Sequence, residues 1–398
     1  MRFFSIDNII TTGLILLILK FFFVIFQVDF LNQLNNQIQD FQINDIVFSR
    51  LKDRDAVEPD TNIVIVNIGE LKRDKIAEQI NIINRFEPKV VAVDVAFSKV
   101  KGDEMDRPLA DAFSKVKKLV LVSRLSYDKE KDKIELVKSI PLFTQYAQCG
   151  FANFIDEEDF RTVRKFSPRE YANKDPVMAF SVKVAELYYP YAVKMLFDRN
   201  NESEIIYFER NLNKYKVIDC EEVFNKRDSF SYVKGKIVLF GYLGPDVKTL
   251  STEDNFYTPM NSNYIGKSYP DMYGVAVHAN IISMLLNGRY IYAMSDNYVL
   301  ILTIVLTYLT MAGFTYLRIK HAEAYESLSL VFIFAEFALF FFVMFSLLYY
   351  FNYYLNLKNM FFVLAVSEMV SESYFGSFKP LTKSVIDKIG YKFKPAKM

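Results

Sequence analysis

The residues of this chain able to do chemistry are few and scattered. Asp94 closes the apolar run VVAVDVAF, at the carboxyl edge where ligands of open α/β sheets gather. Its carboxylate can bind a ligand or cap the amides of the next loop, and capping is the expected role. Asp103, Glu104 and Asp106 precede Pro108 and an amphipathic run from Leu109. Acids there complement a helix dipole, and without the twelve-residue calcium pattern they read as a solvated cap. Gly241 and Gly244 follow a strand-like run, but Pro245 and Asp246 stand where a phosphate-cradling helix would begin, with no Walker lysine. A tight turn is expected. His278 is one of two histidines and cannot build a zinc site alone. No Ser-His-Asp or Cys-His order accompanies it, so a buried, hydrogen-bonded histidine at a helix start is expected. Cys149 and Cys220 lie outside any CxxC pattern, which argues against zinc and thioredoxin-like chemistry. They read as two small buried residues, with a disulfide left open. No catalytic constellation, metal or cofactor emerges, and a protein that is not an enzyme is expected.

The elements that must hold these residues begin with membrane spans. The chain of 398 residues is 52% hydrophobic and 16% aromatic, above the roughly 45–50% apolar share of soluble chains. A net charge of +1 offers no field for nucleic acid. Ile9 to Phe30 is about as long as the roughly 20 residues a bilayer core requires. Polar residues follow it in place of a cleavage site, so an uncleaved anchor over residues 1–30 is expected. Further spans are expected at 297–317, 328–351 and 359–375, the last interrupted by Glu368 and Glu372.

Lysine and arginine set orientation in short loops. Arg318 and Lys320 link the second and third spans, and Lys379, Lys383, Lys388, Lys392, Lys394 and Lys397 crowd the tail from 376 to 398. Both segments are therefore expected in the cytoplasm, with the N-terminus, in a multi-pass bacterial inner-membrane protein. Residues 31–294 are then periplasmic or extracellular. Lys20, Glu336 and Glu368 fall near mid-membrane, where a charge costs roughly 2.5–3.5 kcal/mol. A pairing of Lys20 with Glu336 or Glu368 is expected, with snorkelling of Lys20 as the alternative.

Between the spans, NIVIVNI (62–68), VVAVDVAF (90–97) and LVLVSRL (119–125) read as buried strands, alternating with helical periodicity at Ile76, Ile80, Ile83 and Phe86 and around 109–116. That alternation predicts an α/β domain with a largely parallel mixed sheet. Hairpins are expected at 149–154 with 161–166 and at 204–209 with 215–219, a helix at 176–188, a strand at 236–241 and a helix at 275–286 closed by Asn287-Gly288.

The order VIVNIGE, VVAVDVAFSKV, DRPLADAF, GFANF with an acidic turn before VRKF, KGKIVLFGYLGPD, YTP and YGVAVHANIISMLLNGRYI resembles the CHASE2 domain, an extracytoplasmic sensory module of bacterial signalling proteins. The likeness covers roughly residues 35–375, and three spans after the domain are the family's usual arrangement. The positions that carry it include Gly241, Thr258, Pro259, Gly274, His278, Ala279 and Asn280. Where the family's first strand tends to end in two acids, this chain has Asn67 and then Glu70. The family's Asp-x-Asp-Gly turn is replaced by 156–160 without the glycine. The resemblance implies a sensor, with Asp94, Glu70, Asp246 and His278 as candidates for ligand contact.

In the family such spans typically lead to a kinase or cyclase. Here 376–398 falls short of the roughly 50 residues a domain needs, so a sensor or scaffold subunit acting through a partner membrane protein, or as a homo-oligomer, is expected. Membrane lipid is a second expected partner. The rival reading is an ion-coupled transport or motor component using Lys20, Glu336 and Glu368.

Overall fold

The computed structural model describes residues 5–26, 45, 47–51, 56–128, 133–155, 162–261 and 269–381. The acidic turn at 156–160 and the lysines from Lys383 onward lie outside them. The chain forms two compact units, residues 39–291 and residues 1–38 with 292–398.

The first helix of the chain, α1, runs Ile6–Phe26 and belongs to the membrane-type unit. In the other unit, β1 (Ile63–Asn67), α2 (Arg73–Asn84), β2 (Val90–Val93), α3 (Asp103–Ser114) and β3 (Leu119–Asp128) follow in the expected alternation. β4 (Lys133–Val137), β5 (Gln148–Phe151), α4 (Phe180–Tyr188), α5 (Pro190–Asp198), β6 (Lys216–Ile218), α6 (Cys220–Asn225), β7 (Ile237–Gly241) and α7 (Gly274–Asn287) complete the framework. The sheet order is β6-β1-β7-β2-β3-β4, with β5 also on β3. All pairings are parallel except β3 with β4.

Strand residues alternate between two faces, and each face has its own apolar layer. Val64, Val66, Val91, Val93, Leu119 and Leu121 meet α2 and α3 through Ile76, Ile80, Ile83, Leu109 and Phe113. Ile63, Ile65, Val90, Ala92, Val120 and Val122 meet α4 and α7 through Phe180, Val184, Val275, Ala279 and Ile282. Burial on both faces explains why these strands read as continuous apolar runs.

Four local expectations are corrected. The segment 148–151 lies parallel to β3, and Lys165–Phe166 pairs with Glu204–Ile205, so the hairpin at 149–166 does not form. The second expected hairpin also fails, because 216–218 joins β1 in parallel. The helix expected from 176 starts at Phe180, since Asp175–Met178 pairs with Arg169–Ala172. Helix α3 begins at Asp103 and takes Pro108 inside it. Asp106 is there no solvated cap: 2% exposed, it pairs with Arg73 and accepts the amides of Lys101 and Gly102 at 2.8 and 3.2 Å.

In the membrane-type unit, α1 packs with α8 (Asp296–Lys320) and α10 (Lys358–Ser373), and α9 (Tyr325–Phe351) packs on α8 and α10. Among the described residues two helices are long and apolar enough to cross a membrane, Asp296–Lys320 and Ala322–Phe351, not the four expected. α10 has 16 residues, about 24 Å at ~1.5 Å each, short of a hydrocarbon core of roughly 30 Å. The side chains of α1 are described only through Phe21.

The two ends of this unit are distinct. At one, Tyr292–Ala293 pairs with Tyr353–Tyr354. At the other, Asp7 accepts the Tyr374 hydroxyl at 2.9 Å and binds Lys379 at 2.5 Å.

Candidate functional site

The carboxyl edge of the parallel sheet gathers the ends of β1, β2 and β7. At β1, Asn67 is wholly buried and fully used. Its amide donates to Asp219 Oδ1 at 2.9 Å and to the Gly244 carbonyl at 3.2 Å, and its Oδ1 accepts from Gly69 and Leu243 at 3.0 and 2.9 Å. It ties three loops together and has no capacity left for a ligand. Glu70, just beyond, is exposed and makes no hydrogen bond or ion pair with the described residues.

At β7 the chain turns through Gly241 and Gly244. A Cβ on Gly241 would lie 2.6 Å from Val275, so only glycine lets α7 come this close to the sheet. Gly244 has φ of 96°, the tight turn expected from the sequence. Asp246 accepts the Lys248 and Thr249 amides at 2.8 and 2.9 Å and the Thr249 hydroxyl at 2.8 Å. Those donors, the Thr249 hydroxyl first, hold its carboxyl below the usual range. Asp246 forms this turn.

Asp94 at the end of β2 behaves differently. The fully buried carboxylates of the domain each have partners: Asp45 holds Arg164, Asp60 accepts from Asn62 and Ser283, Asp106 holds Arg73, and Glu204 holds Arg199. Asp94 has neither a hydrogen bond to its side chain nor an ion pair among the described residues, so the expected capping role is corrected. Alternation places it on the face of Val90 and Ala92, beside Gly241 and the start of α7. Although Asp94 is half-buried as a residue, desolvation of its carboxyl, and then the charge of Asp254, push it up to about 8.

Asp254 was not legible as a site residue. It sits at φ 50°, a left-handed conformation uncommon for a non-glycine residue. Both carboxylate oxygens lie 3.1 Å from where a Cβ of Gly274 would stand, with a ring carbon of Phe256 at 3.2 Å. Although Asp254 is exposed as a residue, the inward setting of its carboxyl governs its acidity. Desolvation, with a smaller contribution from Glu253, raises it to about 6. Phe256 packs edge-on to Phe154 at 5.2 Å, and Phe154 lies 4.7 Å from the His278 ring. The edge thus carries two carboxylates without cationic partners beside aromatic walls.

The remaining family positions build the frame. His278 is 4% exposed, its Nδ1 is 2.7 Å from Ser181 Oγ, and Phe180 packs against its ring at 5.0 Å. Burial lowers it to about 3, so it is neutral at physiological pH, as expected for a structural histidine. Asn280 accepts the amides of Glu209 and Arg210 at 3.3 and 3.1 Å and donates to the Arg210 carbonyl at 2.9 Å. Thr258 donates to Asp271 at 2.6 Å, Pro259 is buried, and Ala279 is sealed against the sheet. Cys149 and Cys220 are unbonded. Cys220 is buried and Cys149 half-buried, and desolvation raises both thiols.

The expected intramembrane pairing is absent. Lys20 is exposed and has no ion pair among the described residues. Glu336 instead receives the Thr310 hydroxyl at 3.1 and 3.0 Å from its two oxygens, and Glu368 receives that of Ser329. The neutral hydroxyls face the acids across helix contacts, whereas Lys20 looks outward. No group of three or more His, Cys, Asp or Glu able to hold a metal occurs among the described residues.

The described residues thus form a mostly parallel α/β domain, with two unpartnered acids at its carboxyl edge, and a unit of apolar helices. The CHASE2 domain model matches residues 13–313, and the chain belongs to the CHASE2 family, an extracytoplasmic sensory domain of membrane proteins. Neither the curated proteins nor the solved structures compared with it gave a match.

Proposed function

We propose that the protein is a membrane-anchored sensor whose soluble domain binds a small, positively charged or donor-rich ligand at the carboxyl edge of its sheet, without turnover. The observation that carries this reading is Asp94, a half-buried, desolvated carboxylate with no side-chain hydrogen bond or ion pair among the described residues, whereas the fully buried acids Asp45, Asp60, Asp106 and Glu204 are paired. Asp254, Phe256 and Phe154 support it, because acids and ring faces together favour ammonium groups. Thermal shift of the full-length protein in neutral detergent tests it, with spermidine, choline and arginine as probes and glucose as a neutral control. A cation that raises the midpoint of the native protein but not of Asp94→Asn supports the reading. Equal responses in both proteins defeat it.

On this reading α8 and α9 cross the bilayer, with the Arg318, Lys320 and Lys379 end in the cytoplasm. The clustering of those cations at one end of the bundle supports that orientation. Output then passes to a partner membrane protein or a second copy. Gentle detergent purification with identification of co-purifying proteins tests this, and a chain that runs alone as a monomer rules it out.

A further inference from the structure

We infer that the basic end of the helix bundle holds a site for the phosphate of an anionic phospholipid, built round Arg318. This site does not rest on the ligand reading.

Arg318 lies in the last turn of α8. Its guanidinium sits over the Tyr325 ring at 4.2 Å and over the Phe375 ring at 5.5 Å. Those rings come from the start of α9 and from the turn after α10, and the Tyr325 hydroxyl bonds Ser371 Oγ at 3.1 Å. Three segments therefore fix one arginine in place. Glu323 and Glu326 belong to the same link, yet neither is within ion-pair distance of it, and Arg318 makes no hydrogen bond among the described residues. Its Nε is enclosed without an acceptor.

Arginine stacked on rings ordinarily aims its remaining donors at a planar or tetrahedral anion. Here the other cations lie close by in the fold. Lys379 Nζ is 5.1 Å from the same Phe375 ring, and Lys320 lies over Tyr316 at 5.4 Å. Among the described residues the acid that engages this group is Asp7, and it is already held by Lys379 and Tyr374.

The position selects the source of the anion. α8 has 25 residues, about 37 Å at ~1.5 Å each, longer than the roughly 30 Å apolar core. Its last turn thus reaches headgroup level, where basic pockets between helices hold anionic lipid. A phosphodiester monoanion seated on the free guanidinium nitrogens supplies the missing acceptors, and the rings border its glycerol.

Phosphatidylglycerol is the probe. Thermal midpoints of the full-length protein in neutral detergent are titrated with phosphatidylglycerol, phosphatidylcholine or inorganic phosphate. Phosphatidylglycerol is expected to raise the midpoint at lower concentration than phosphatidylcholine, and Arg318→Gln to weaken that effect roughly fivefold. Arg318→Lys should fall between, and Lys234→Gln, on the soluble domain, should match the native protein. If Arg318→Gln does not fold, Phe375→Leu gives the decision through the same titration. Unchanged phosphatidylglycerol affinity in the folded variant overturns the site. So does equal protection by inorganic phosphate, which assigns it to a free anion.

Discussion

Arg164 grips Asp45 through two contacts, Nε to Oδ1 at 3.0 Å and Nη2 to Oδ2 at 2.7 Å, with their side chains 6% and 1% exposed. The pair joins the segment just before the soluble domain's first strand to the Val-Arg step of the family pattern. Removing one member of a buried pair leaves an uncompensated charge and costs about 3–5 kcal/mol, while replacing both by apolar residues costs far less. Arg164→Ala should therefore lower the thermal midpoint strongly. Arg164→Met made with Asp45→Leu should recover most of the loss, and a double variant as unstable as the single one would contradict a charge-burial origin.

Asp94 and His278 pull the pH dependence of stability in opposite directions. The folded pKa of Asp94, about 8, is above its unfolded value of roughly 3.9. The fold favours the protonated form, so the native state binds more protons and stability falls as pH rises from about 4 to about 8. Asp94→Asn should remove this decline, by up to about 1.4 kcal/mol per pH unit. Midpoints measured between pH 5 and 8 should be flatter in the variant and higher at pH 8.

His278 has the reverse sign. Its folded pKa, about 3, lies below the unfolded value of roughly 6.5, so its contribution is present above pH 6.5 and lost as pH falls toward 3. His278→Ala should lower stability at pH 7.5 by leaving a void and an unpaired Ser181. The penalty should shrink toward pH 4, and a penalty that grows on acidification would refute the neutral buried histidine.

Gly241→Ala places a methyl group 2.6 Å from Val275, and overpacking of this kind costs about 1–3 kcal/mol. The midpoint should drop, and phosphatidylglycerol binding at Arg318 should be unchanged. Normal stability would mean that α7 can retreat from the sheet.

With Glu336 held by Thr310 and Lys20 facing outward, the two should not be coupled. Lys20→Met and Glu336→Gln should shift the midpoint additively, within about 0.5 kcal/mol. A larger coupling would restore the pairing that the geometry withholds.

The framework was readable because its signals are local. The strands at 63–67, 90–93 and 237–241 and the 119–123 part of β3 are buried on both faces, and the helix at 274–287 ends on Gly288 in a left-handed turn. The hairpins were misread because strand choice is not local. Residues 165–166 and 204–205 find each other, and 216–218 finds β1, across intervening helices. Asp94 was visible as a position, but its lack of partners was not. Asp254 looked like one more acid in a polar loop, since only its backbone turn and the bare Cα of Gly274 bring its carboxyl inward. Arg164 was part of the family pattern, yet its partner lies 119 residues away, beyond any spacing rule.

The contact between Gly241 and Val275 makes α7 a lever with its fulcrum at the sheet. Val275 in its first turn closes on the bare Cα of Gly241, and the Asp254 carboxylate lies beside Gly274 next to that pivot. A helix of 14 residues is about 21 Å long, so a tilt of roughly 5° moves its far end by about 2 Å. On the proposed reading, a ligand that tilted α7 at this pivot would be detected as a displacement of Asn287, the last residue of the helix.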